Sequence, residues 1–293
     1  MNSVGRSQTD CRMAMPDGAI LHVAIDDFTD PWVQAGSIVF LHGLAESGLL
    51  WRAWSPAFSR RWRVIRPDHR GFGRSSPVSA DFTWSLAKLE DDLETLLDQL
   101  ELDSVHLVGA KIGGTLALDF AARRPERLRS VTAIGAPLSM VERSNQLSAA
   151  VVQIGRDGVE SWVRETTAGR MGASMGESEV QWWIDLMSRT PANTLLGFMP
   201  MVATIDVRPS LDQISIPTLL LTSSHGLFSP DELVGWQRAL PDKRKICIID
   251  ADSYHLAASH PDRCAEIVVR FLEDVESGRS SLWRTEPPGV DQV

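Results

Sequence analysis

From about residue 37 to residue 276, short apolar runs alternate with longer stretches of helical spacing. Ser37–Leu41 and residues 63–66, 105–108, 130–134, 218–222 and 245–249 are apolar and bounded by polar or turn residues. That pattern predicts strands buried on both faces. Residues 85–100, 112–123, 230–239 and 262–276 carry helical periodicity; in the first, Leu86, Leu89, Leu93, Leu96, Leu97 and Leu100 share one face. Ahead of these, residues 12–25 alternate and break at Pro16-Asp17-Gly18, which predicts a β-hairpin, while the first ten residues are polar and expected to be loose. Strands alternating with helices define an α/β fold, a mainly parallel sheet with helices on both faces.

The rhythm breaks between about residues 139 and 210. No convincing strand occurs there, but Trp162, Trp182, Trp183 and six of the nine methionines do. The expected organisation is an α/β core of residues 1–137 and 211–293, carrying a helical insertion at 138–210. Two readings of its Met and Trp residues stay open: the core of a helical subdomain, or the lining of a cap over an apolar ligand.

Charge and composition narrow the function. The 293-residue chain has 29 basic and 38 acidic side chains, for a net charge of −9. An acidic chain without a basic stripe does not suit nucleic acid or anionic membranes. No run approaches 18 consecutive apolar residues, so no membrane span is expected. The start lacks an apolar export segment, and a cytoplasmic location follows. Cys11, Cys247 and Cys264 are widely spaced without metal-ligand neighbours, which predicts free thiols and no metal. Neither is a cofactor expected, since Gly71-x-Gly73 lacks the third glycine and the helix of a nucleotide loop. Only four of the basic residues are lysines (Lys88, Lys111, Lys243 and Lys245), and Tyr254 is the sole tyrosine beside ten tryptophans.

Four segments carry the chemistry. Phe40-Leu41-His42-Gly43-Leu44 follows one strand, and Asp68-His69-Arg70-Gly71-Phe72-Gly73-Arg74-Ser75 follows the next. Val108-Gly109-Ala110-Lys111-Ile112-Gly113-Gly114 joins a strand to a helix, and His255 follows the last predicted strand. In this order the segments resemble an α/β-hydrolase of the single-cap, enol-lactonase or esterase type, over about residues 16–276. The resemblance implies that Gly109-x-Lys111-x-Gly113 stands at the nucleophile elbow, normally Gly-x-Ser-x-Gly. It implies that the Leu44 and Ile112 N–H groups form the oxyanion hole and that His255 is the base. Family spacing back from Pro261 also fits Tyr254, but a phenol with an ordinary pKa of about 10 is a poor base near neutral pH.

Two positions depart from the family. Lysine replaces the serine at 111, and no acid occupies the loop 223–229; Asp250 or Asp252 is left to orient His255. A buried lysine at a helix N-terminus is driven toward the neutral amine. If that amine attacked an ester, the product would be an amide, which resists hydrolysis and would stall turnover. Two active roles remain. In one, Lys111 assists the carbonyl as a cation or proton donor while His255 activates water, which gives ester, lactone or enol-lactone hydrolysis. In the other, Lys111 forms a Schiff base for decarboxylation or C–C cleavage. A non-catalytic ligand-binding protein, drifted from an enzyme, and an artificially replaced serine are further alternatives. The substrate expected is a small, largely apolar carbonyl compound. His42, Tyr254, Trp51, Trp162, Trp182, Trp183 and His225 are candidate pocket residues, with His42 read chiefly as a support for its loop.

Overall fold

A computed structural model describes residues 8–224, 236–239, 243–279 and 289–291. Among the described residues nine strands form one sheet in the order β1-β2-β4-β3-β5-β6-β7-β8-β9. They are β1 (Gln8–Ala14), β2 (Ile20–Asp26), β3 (Ser37–Leu41), β4 (Arg63–Pro67), β5 (Val105–Ala110), β6 (Leu128–Ile134), β7 (Thr218–Ser223), β8 (Arg244–Ile249) and β9 (Gly289–Asp291). β1 and β2 form the expected antiparallel hairpin, and β2 also pairs antiparallel with β4. From β4 to β9 every pairing is parallel.

Each of the six strands predicted from residue 37 onward is present, within two residues at either end, while the hairpin starts four residues earlier than expected. Residues 8–10 are a correction: they pair in β1 instead of hanging loose, because the hairpin register extends to Gln8 opposite Asp26. β9 has no counterpart among the predicted strands. Most of the predicted helix 230–239 lies outside the described residues, although Trp236–Ala239 is helical.

The described helices are α1 (Ser55–Phe58), α2 (Leu86–Gln99), α3 (Ile112–Arg123), α4 (Ser144–Asp157), α5 (Val159–Met171), α6 (Glu177–Ser188), α7 (Ala192–Val202), α8 (Leu256–Ser259) and α9 (Pro261–Glu276). Successive strand side chains point to opposite faces, and they feed two cores. Val39, Leu41, Val105 and Leu107 pack with leucines of α2 and α3, including Leu93 and Leu116. Ile38, Phe40, Val108 and Ala110 pack with Phe58 of α1 and Phe271 of α9 on the other side. Helices therefore cover both faces, which is why these strands read as continuous apolar runs.

The insertion between β6 and β7 consists of α4 to α7, and a bridge between Ser139 and Asp206 closes its base. Met171, Met187 and Met199 are fully buried, so half of its methionines serve as core. None of the described helices is long and apolar enough to cross a membrane. None of the three cysteines forms a disulfide among the described residues.

Candidate active site

The turn from β5 into α3 sets the site. A Cβ on Gly109 would lie 2.2 Å from the Gly113 carbonyl oxygen, and one on Gly113 would lie 2.4 Å from that of His42. No side chain fits either position, so the chain turns sharply between them. Lys111 sits at the apex with φ 55° and ψ −126°. A non-glycine residue there carries roughly 1–3 kcal/mol of backbone strain, a cost usually met at functional positions. The Lys111 N–H donates to the Ile134 carbonyl at 2.9 Å and fixes the apex to the neighbouring strand.

The Lys111 side chain is half-buried in a cavity of about 550 Å³. The cavity is also lined by Leu44, Glu46, Ile112, Met140, Arg143, Trp162, Arg170, Tyr254 and His255. Nζ lies 3.5 Å from the Tyr254 ring centroid and donates to the Tyr254 carbonyl oxygen at 3.4 Å. No carboxylate comes within ion-pair distance of Nζ among the described residues. Burial drives the Lys111 pKa well below its ordinary value. Glu46 opposes that shift, while the positive charges of Arg170 and Arg143 add to it. The same burial raises the Tyr254 phenol, so this ring is a neutral wall for the amine.

His255 is buried, but its ring is not directed at residue 111. Nε2 donates to Oε1 of Glu46, and Oε2 of Glu46 accepts the Gly43 N–H at 2.8 Å. Glu46 and His255 are 3% and 1% exposed, a burial that carboxylates tolerate only when fully paired. Ala45, at φ 61°, makes the loop turn that brings Glu46 inward. Burial pushes the Glu46 carboxyl up, yet the charge and hydrogen bond of His255, with the Gly43 N–H, pull it below the usual carboxylate range. Nδ1 of His255 is buried without a hydrogen-bond partner among the described residues. Sequence reasoning missed Glu46 altogether. The available signal was an acid three residues beyond His42-Gly43, in a chain whose expected acid after β7 is absent.

Other expectations divide. Leu44 and Ile112 line the cavity, and no acceptor among the described residues takes either N–H. Trp162 lines it too, with the Arg170 guanidinium 4.4 Å from its ring centroid. His42 does not: Nδ1 contacts the Gly43 carbonyl at 2.8 Å and Nε2 accepts the His69 N–H at 2.9 Å, the supporting role.

Three of the tryptophans require correction. Trp51 is fully buried against Phe40 in the core, at 4.8 Å between centroids. Trp183 packs on the His255 imidazole at 5.6 Å, outside the cavity lining, and Trp182 carries the Arg52 guanidinium at 3.7 Å. Each ring fills apolar space that the fold needs, and an apolar pattern looks the same for core and pocket. Asp250 and Asp252 do not orient His255 either. Asp250 accepts from the Ser224 hydroxyl at 2.9 Å, and Asp252 from the Ala173 N–H at 2.7 Å. His225 lies outside the described residues.

A larger cleft, of about 820 Å³, opens beside the hairpin and contains Glu46, Arg52, Arg66 and Asp68. Neither Lys111 nor His255 reaches it. Glu46 lines both, while Lys111, His255, Leu44 and Ile112 line only the smaller cavity.

A family model described as alpha/beta hydrolase fold matches residues 36–178. The chain is 24% identical over 250 residues to a pimeloyl-[acyl-carrier protein] methyl ester esterase of Aeromonas hydrophila, covering 82% of this chain and 96% of that protein. It is 26% identical over 194 residues to 3-oxoadipate enol-lactonase 1 of Acinetobacter baylyi, covering 65% and 71%. Among solved structures, the enol-lactonase of Burkholderia xenovorans superposes with a TM-score of 0.78 at 23% identity, covering 90% of this chain and all of that one. A hydrolase of Pseudomonas aeruginosa gives 0.79 at 22% identity, covering 90% and 98%.

Proposed function

On the α/β-hydrolase fold of this chain, we propose that it is a member of that superfamily and hydrolyses a small, largely apolar ester or lactone, enol-lactones included, without a serine nucleophile. The observation that carries this reading is that one cavity holds an amine without a carboxylate partner among the described residues beside a buried, hydrogen-bonded carboxylate–imidazole pair. Lys111 has an amine of lowered pKa, and Glu46 with His255 forms a buried, hydrogen-bonded pair. A proton donor on one wall and a carboxylate-held imidazole on the other can divide the work as acid and base. Residues 138–210 serve as the cap over the site, and residues 1–137 with 211–293 serve as the core.

The substrate carbonyl oxygen rests against the Leu44 and Ile112 N–H groups, which stabilise the charge that develops as water attacks the carbonyl carbon. The proton lost by water passes to the Glu46–His255 pair. As the tetrahedral intermediate collapses, the Lys111 ammonium protonates the leaving oxygen. The proton held by the pair then returns to the amine. A lowered pKa makes that ammonium a stronger acid than an ordinary lysine, and no bond forms between enzyme and substrate.

A second reading rests on a specific observation. An amine with no carboxylate partner, flanked by two arginines, is also the nucleophile needed for a Schiff base with a ketone. In that case Lys111 becomes the electron sink for decarboxylation or C–C cleavage. The deciding experiment assays a panel of aryl esters, lactones and enol-lactones with the wild type, Lys111→Ala and His255→Ala. Each variant is expected to lose at least about 100-fold in kcat/KM, the usual worth of a proton-transfer or oxyanion group. Turnover surviving both changes would overturn the assignment. Borohydride trapping followed by mass spectrometry separates the two readings, since only the Schiff base leaves a reduced adduct at Lys111. Ligand binding without any turnover would identify a non-catalytic protein.

A further inference from the structure

Two guanidiniums in this cavity have no role in the chemistry above. Arg170 comes from the last turn of α5, and Arg143 from the residue before α4. Arg170 donates to the Thr166 hydroxyl at 2.8 Å and to the Met187 sulfur at 3.8 Å, and its face lies on Trp162. The polar and apolar contacts together hold it in place. Neither arginine has a carboxylate partner among the described residues. The nearby acids are occupied elsewhere. Glu46 is held by His255 and Gly43, Glu165 accepts from the Gln153 amide at 2.6 Å, and Glu142 pairs with Arg208 at 3.1 Å.

An arginine held by neutral contacts on the wall of a half-enclosed apolar cavity keeps its charge uncompensated, and Arg170 spends only one N–H of each terminal nitrogen on Thr166 and Met187. A planar fork of donors matches a carboxylate with two parallel hydrogen bonds. We propose that Arg170 and Arg143 form an anion subsite on the cap side of the cavity, so that the carbonyl substrate of the preceding section carries a carboxylate at the end remote from its reacting carbon. The inference rests on that reading for the word substrate, but the subsite itself is a matter of binding. The reacting carbonyl sits at Lys111 and the carboxylate sits at the arginines, with an apolar stem along Met140 and Trp162 between them. The arrangement also explains why the positive charges near Lys111 are placed on the insertion. There they can hold an anion and at the same time keep the amine from being an ordinary ammonium.

The test measures binding by calorimetry, independent of turnover, with hexanoate and the isosteric neutral amide hexanamide as probes. In the wild type, hexanoate is expected to bind at least 10-fold tighter than hexanamide. That ratio should fall toward one in Arg143→Gln and in Arg143→Gln/Arg170→Gln, and persist in Lys111→Ala. Arg143→Gln keeps the test sound if the change at Arg170 disturbs its contacts with Trp162 and Met187. Equal affinities in the wild type would overturn the subsite. So would a preference lost in Lys111→Ala but retained in the arginine variants, because the anion would then sit at the lysine. If no ester or lactone is hydrolysed while the preference behaves as stated, the hydrolytic reading fails and the subsite stands.

Discussion

Replacing Glu46 by alanine tests the feature on which the whole site turns. In the folded protein both carboxylate oxygens are used, one by His255 Nε2 and one by the Gly43 N–H at 2.8 Å. Both donors are buried, and Nδ1 of the same imidazole already lacks a partner among the described residues. The substitution therefore orphans two buried donors, each costing about 1–3 kcal/mol. Breaking a buried ion pair by removing one partner gives an independent figure of about 3–5 kcal/mol. Both routes converge near 4 kcal/mol, which for a chain of this size lowers Tm by roughly 8–16 °C. The pH dependence adds a signature. The Glu46 carboxyl is depressed in the fold, so its stabilisation is complete above the unfolded value of about 4.3 and fades as pH falls through the folded value. Circular dichroism melts of the wild type and Glu46→Ala should differ by a constant amount from pH 7 to pH 5, then converge below about pH 4. A loss under about 1 kcal/mol at pH 7, or a gap that widens on acidification, would refute the pairing.

Further outcomes follow from other buried groups. Burial lowers the Lys111 pKa, so folding must strip or strand a proton at neutral pH. Lys111→Met should melt higher than wild type at pH 7, and that advantage should shrink as pH rises toward the ordinary lysine value of about 10.4. Glu90 is pushed up to about 8 by burial and by Asp119. Its penalty grows as pH climbs above the unfolded value, so Glu90→Gln should gain stability with rising pH, up to about 3 kcal/mol near pH 7, in urea titrations at pH 5 and 7.5. Burial also raises the Cys264 thiol. A chromogenic disulfide reagent should leave Cys264 untouched in the native protein and label it once urea unfolds the chain.

The strands and helices were legible because their signals are local. A parallel strand covered on both faces is an uninterrupted apolar run, and α3 is bounded by the glycines of its own turn. The site was legible where chain order carries it: Lys111 follows β5, and His255 follows β8. What stayed hidden is tertiary. Glu46 and His255 are 209 positions apart, and no periodicity links a loop after β3 to a loop after β8. The tryptophans failed for a different reason. Trp51, Trp182 and Trp183 were expected at a ligand and stack on Phe40, Arg52 and His255 instead. An aromatic residue carries no mark in the sequence that separates a pocket wall from a core.

The altered residues make sense together more readily than one at a time. In a serine-based site the histidine Nε2 must face the nucleophile, and an acid on the far side of the ring holds Nδ1. Here Nε2 faces Glu46, and Nδ1 has no acceptor among the described residues. The carboxylate has in effect moved from behind the imidazole to the cavity side. Had a lone lysine simply replaced serine in an otherwise unchanged site, two groups that both favour a positive charge would meet at the elbow. With Glu46 between the imidazole and the cavity, His255 is satisfied by a carboxylate, and Lys111 leans on Tyr254 instead of competing for it. Decay predicts no such compensation. A serine lost by drift would leave a small residue at the apex and a histidine free to move. On the proposed hydrolytic reading the joint placement of Glu46, His255 and Lys111 serves proton transfer, and Lys111→Ser alone should therefore fail to yield an ordinary esterase. Gain of serine-esterase burst kinetics in that single variant, with a trappable acyl-enzyme, would show that Glu46 yields His255 freely and that the coupling argued here is not present.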